Sequence, residues 1–154
     1  MKKLLVLLVA IVLLAGCAAR GDTAAPRVSA QTNMGEEDIV YIGERFFVTE
    51  MNRIQFYREQ YLGRVIQYEG IFYSFYWDDG SVYFVVRYTY GCCGLDGLIG
   101  FDVLLNEIPP FPDNTWVQVT GVLEEDYSGW GSILMVNAIS IVEIPERGQE
   151  FVDI

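Results

Sequence analysis

The chain has 154 residues, 14% of them aromatic, with 21 acidic residues against ten basic ones and no histidine. That acidity excludes a nucleic-acid interface driven by counterion release, and the missing histidine excludes hydrolases that need an imidazole base. With only three cysteines and no histidine, a self-contained structural zinc site is also poorly supplied with ligands.

Residues 1–16 read as a secretory leader: Lys2 and Lys3, an apolar run from Leu4 to Leu14, then the small residues Ala15 and Gly16. Leu14-Ala15-Gly16-Cys17 resembles the lipobox of bacterial lipoproteins, which implies cleavage before Cys17 and lipid attachment at its thiol. The expected location is the bacterial cell envelope, extracytoplasmic and bound to the membrane through that lipid. Cleavage removes the only two lysines and leaves eight arginines against 21 acids, a net charge of −13 over residues 17–154. Such a surface does not dock on anionic lipid, so the acyl chains must hold it there. Residues 17–38 are small and polar with no hydrophobic period and read as a tether with a reach of roughly 25 Å. Residues 39–154 fit one domain.

Within that domain, Met51, Ile54 and Tyr61 recur near helical spacing, with Thr49 as a plausible N-cap and Gly63 as the terminating glycine. From Arg64 the period changes to two. RVIQYEGIFYSFYW puts Ile66, Tyr68, Gly70 and Phe72 on one face, with Gly70 marking a bend. Asp78-Asp79-Gly80-Ser81 reads as a hairpin turn into the strand SVYFVVRYTY. LIGFDVLL is a short third strand, the proline-rich EIPPFPDNT a rigid loop, and TWVQVTGVLEED and SILMVNAISIVEI two more strands. One helix and five strands predict a mainly β fold, a small five-stranded OB-like barrel with one N-terminal helix; an open antiparallel β-sandwich is the alternative.

Adjacent cysteines stand in Arg87-Tyr-Thr-Tyr-Gly-Cys92-Cys93-Gly-Leu-Asp96-Gly97. A disulfide between neighbours closes a strained ring, crosslinks almost no chain, and serves as a switch rather than a brace. Zinc would have to recruit Asp96 and a further carboxylate such as Asp102, or a second protein; copper(I) accepts two thiolates more readily. A third reading is a pair packed as small hydrophobes. Arg87 reads most simply as an arginine on the outer face of its strand, unless the turn folds its charge back toward the thiols or Asp96.

Arg87-Tyr88, the double cysteine and Asp96, together with Tyr61-Leu62-Gly63-Arg64 ahead of EGIFY and Trp116-Val-Gln-Val-Thr-Gly121, resemble the C-terminal domain of the YcgQ-like permease-subunit family. The resemblance spans about Phe47 to Pro145 and implies an extracytoplasmic OB-like module beside a permease. It makes Arg87, Cys92, Cys93 and Asp96 the candidate site. The sequence departs from that family in its glycine-rich Gly94–Gly97 and in a lipobox where membrane spans would stand. The expected function is non-enzymatic: a membrane-anchored lipoprotein whose barrel binds a partner or small ligand, with Tyr73, Tyr76, Trp77 and Trp130 as surface candidates. The alternative is a thiol-based metal-binding or redox-responsive envelope protein, with zinc or copper on Cys92, Cys93 and Asp96.

Overall fold

The computed structural model describes residues 38–77, 80–91, 94–109, 111–128 and 131–153. The chain divides into units 1–33 and 34–154, and every described residue belongs to the second. The leader, Cys17 and the tether up to residue 37 lie outside the described residues.

In chain order the described residues form β1 (Ile39–Ile42), a 3-10 turn (Glu44–Phe46), α1 (Phe47–Phe56) and a second 3-10 turn (Arg58–Gln60). There follow β2 (Val65–Trp77), β3 (Gly80–Gly91), β4 (Gly94–Leu104), β5 (Thr115–Ser128), β6 (Gly131–Glu143) and β7 (Phe151–Val152). Five strands close on themselves in the order β2-β3-β4-β6-β5 and back to β2. Every pair in that circuit is antiparallel except β4–β6. This is the OB-like barrel, and its closure displaces the open sandwich.

Closure depends on β2, which changes partner along its length. Residues 65–72 pair with β5 and residues 71–77 with β3, so only Ile71 and Phe72 face both. The turn comes at Gly70, where a Cβ would stand 2.9 Å from the Val86 carbonyl. Only glycine lets the strands approach so closely there. Ile66, Tyr68 and Phe72 point inward as the two-residue period requires, and meet Val85, Phe101, Val117, Val119 and Val136 in the core.

Helix α1 closes one side of this core with Phe47, Val48, Met51 and Ile54. It starts two residues before Thr49, which therefore lies in its first turn and is not its cap. The helix gives way at Tyr57 to the second 3-10 turn, and Gly63, at φ +79°, then reverses the chain into β2. Its N–H reaches Leu123 O of β5 (2.9 Å), which ties that reversal to the barrel.

The two additional strands are short, parallel and peripheral. β1 pairs with β2 over residues 65–68, and β7 pairs with β3 at Tyr88 and Thr89. The third barrel strand, read from Leu98, begins at Gly94, and Gly91 pairs with Gly94 across the hairpin. The proline-rich connection is irregular, as expected, and pins itself through Phe111 on Phe72 and Asp113 on Ser74.

Candidate functional site

Where β2 leaves β3, a fork opens in the sheet. On β2, residues 69 and 70 fall between the stretch paired with β1 and the stretch paired with β3; on β3, Arg87 alone falls between the partners β2 and β7. Backbone carbonyls at such a fork lose their ladder partners and need another donor. Arg87 supplies it. Its Nε donates to Glu69 O (2.9 Å) and its Nη1 to Gln149 O (3.1 Å), the carbonyl two residues before β7.

The rest of the guanidinium's surroundings are as specific. Arg87 is 1% exposed, its Cζ lies 4.3 Å from the Phe47 ring centroid and 4.9 Å from that of Trp116, and Glu44 Oε1 stands 3.7 Å from Nη1. Glu44 also accepts the Gln149 N–H (2.7 Å), so one carboxylate joins the start of the domain to its end. Burial pushes the Arg87 guanidinium below arginine's usual value, and the charges of Glu44 and Glu69 act to raise it again. The outer-face arginine read from the sequence is thus corrected. Arg87 follows Tyr83 and Val85 on the inward parity of β3, and that alternation was the signal to heed.

Arg87 lies four positions before Gly91, the last residue of β3, about 13 Å along an extended strand. Cys92 and Cys93 lie outside the described residues, as does the Asp96 side chain. Asp102 sits half-buried on β4 opposite Phe84, and burial raises its carboxyl above the ordinary range. Among the described residues no group of three or more carboxylate or thiol side chains is placed to hold a metal ion.

Beside Arg87 lies an open cavity of about 560 Å³. β1 and the turn after it form one wall, the outward residues Gln67, Glu69 and Gln118 the floor, and the segment Ile144–Gly148 the other wall. Its two arginines are already engaged: Arg87 as above, and Arg147 with Glu150 and the Asn114 carbonyl. The carboxylates are less committed. Glu69 accepts one bond from Trp116 Nε1 (3.2 Å), and Glu146 makes no ion pair or hydrogen bond among the described residues. Gln67 Oε1 accepts from the Thr120 hydroxyl (3.1 Å), which leaves its amide N–H donors for a ligand. The sequence offered no signal for this cavity, since its lining comes from five separate segments.

A second surface lies on the outer face of β2, β3 and β4. Tyr73, Phe75, Phe84, Tyr88 and Leu98 surround an apolar hollow of about 220 Å³. The Tyr73 and Tyr88 hydroxyls hydrogen-bond to each other, and burial together with that bond pushes the Tyr73 phenol up to about 12. Of the aromatics expected at a surface, Tyr76 is exposed and Tyr73 half-buried, while the side chains of Trp77 and Trp130 lie outside the described residues.

No curated protein and no solved structure matches the chain. A family model does, the DUF1980 C-terminal domain, over residues 20–152, a span that holds the whole barrel, the Arg87 fork and the double cysteine. The chain belongs to the DUF1980 C-terminal domain family, consistent with the YcgQ-like resemblance of its motifs.

Proposed function

We propose that this protein is a non-enzymatic envelope lipoprotein, anchored through Cys17, whose OB-type barrel binds a small organic cation in the cavity beside Arg87. The observation that carries the reading is the cavity's charge balance: both arginines are engaged by the protein, while Glu69 and Glu146 keep free carboxylate oxygens. About 560 Å³ is the size of a small-molecule site, and Tyr41, Ile42 and Ile144 supply apolar contact for a ligand's carbon skeleton. A chain with 21 acids attracts cations at long range, which favours the same ligand class. A role beside a permease rests on the family resemblance.

Thermal melting of the full chain tests the ligand class. 1,4-Diaminobutane is expected to raise the melting temperature and succinate, at equal ionic strength, to leave it unchanged. Equal shifts from the two would refute a cation site.

A second reading keeps the thiols. Cys92 and Cys93 join the paired glycines Gly91 and Gly94, so a metal held there would draw further ligands from Asp96 or a second chain. Under this reading the Cys92→Ser/Cys93→Ser chain loses bound zinc or copper in elemental analysis; equal metal content in both proteins rejects it.

A further inference from the structure

The floor of the cavity beside Arg87 is a piece of sheet whose outward side chains are placed by register. Tyr41 of β1 stands opposite Gln67 of β2, which stands opposite Thr120 of β5; one step along, Glu69 of β2 stands opposite Gln118 of β5. Residues facing each other across strands point to the same side with Cβ atoms about 5 Å apart, and residues two apart along a strand are about 6.6 Å apart. Glu69 therefore has an amide on each of two sides, Gln118 across the ladder and Gln67 along it. All three are half-buried and line the cavity.

The hydrogen bonding of this floor narrows the ligand beyond its charge. The Thr120 hydroxyl occupies the Gln67 oxygen, so the Gln67 amino group keeps both N–H donors. Trp116 Nε1 donates to Oε2 of Glu69 (3.2 Å), which orients that carboxylate and leaves Oε1 open. The Gln118 amide has no hydrogen bond to protein among the described residues. In an open cavity such groups hydrogen-bond to solvent. A ligand seated on the floor displaces that solvent, and an alkyl amine would leave both amides unpaired beneath it. A ligand with a polar group above each amide avoids that loss, and sites built this way reject analogues that lack those groups.

We infer that the ligand is an amino sugar, a 2-amino-2-deoxyhexose in its protonated form. In that ring the carbon bearing the ammonium is flanked on both sides by carbons bearing hydroxyls, which matches a carboxylate flanked by two amides. The ammonium goes to Glu69 and the neighbouring hydroxyls to the amides of Gln67 and Gln118. Tyr41, 53% exposed and beside Gln67 in register, offers its ring to the apolar C–H face of the sugar. Glu146 on the wall adds a second negative charge, and a cavity of about 560 Å³ holds one such ring with room for a substituent. The inference rests on the proposed cation site and adds the hydroxyls that site must recognise. 2-Aminoethanol, the same amino alcohol without the ring, carries one hydroxyl and answers only one of the two amides.

Calorimetric titration of the full chain, at a pH that keeps the amines protonated, compares glucosamine with cyclohexylamine, glucose and 2-aminoethanol. Glucosamine is expected to bind at least tenfold more tightly than each of the other three. Gln67→Leu/Gln118→Leu is expected to weaken glucosamine at least tenfold and to leave cyclohexylamine unchanged, at an unchanged melting temperature. The wild-type comparison decides the matter alone if that variant fails to fold. No binding of glucosamine, equal binding of any of the other three, or an unchanged glucosamine affinity in a folded variant would overturn the inference. A chain that binds 1,4-diaminobutane without preferring glucosamine to cyclohexylamine keeps the cation site and loses the amino sugar.

Discussion

Arg87 shows how one side chain can be both the least expected residue of a strand and the one that lets the strand branch. Its Nε and Nη1 donors replace ladder hydrogen bonds at Glu69 O and Gln149 O, which an aliphatic side chain leaves unpaired. Each buried unsatisfied carbonyl costs about 1–3 kcal/mol, so Arg87→Met is expected to destabilise the domain by about 2–5 kcal/mol in chemical denaturation. Arg87→Lys, with one compact donor group instead of a planar fork, recovers only part of that. Asp102 behaves oppositely. Burial holds its folded-state pKa above the unfolded value near 3.8, so its contribution to stability is fully present below that pH and is lost as pH rises through the folded value. Asp102→Asn is therefore expected to raise the melting temperature at pH 7 and to have little effect at pH 3; an equal effect at both would show that the charge is not the cause.

The elements divide by how strongly their residues repeat. β2, β3, β5 and β6 are legible because each alternates over more than ten residues, and Gly70 marks the bend because no other residue tolerates the Val86 carbonyl at 2.9 Å. β1 and β7, of four and two residues, carry too few positions for a period, and their pairing is dictated by the fork, which only the folded chain reveals. The third strand, whose apolar run starts at Leu98, extends back to Gly94 because cross-strand pairing with β3 overrides the low strand preference of its glycines. Helix α1 lies where its period places it, but its expected bounds, Thr49 as N-cap and Gly63 as terminating glycine, give way to Phe47–Phe56, since a 3-10 turn at each end blurs the spacing. Gly63 does not end the helix, which stops seven residues earlier at Phe56; it turns the chain into β2, and its φ of +79° makes the position testable. Gly63→Ala is expected to cost about 1 kcal/mol, measured as a shift of the denaturation midpoint, because an L side chain is strained there. The cavity, by contrast, had no sequence signature at all: Tyr41, Glu69, Gln118 and Glu146 meet only through barrel closure.

For the protein as a whole, the proposed function has an acidic barrel held at a membrane by a lipid on Cys17. Replacing Cys17 by alanine is expected to move the chain from the membrane fraction to the soluble envelope fraction without changing the barrel's melting temperature; retention in the membrane would remove the lipid from the account. Arg87 is a clamp that gathers both ends of the domain around the cavity. The central claim, that the cavity is a cation site, is tested most directly by calorimetric titration of 1,4-diaminobutane into the wild-type chain and into Glu69→Gln/Glu146→Gln. The account predicts saturable one-site binding by the wild type and at least a tenfold weaker affinity in the double variant; equal affinities, or no binding to either, would contradict it.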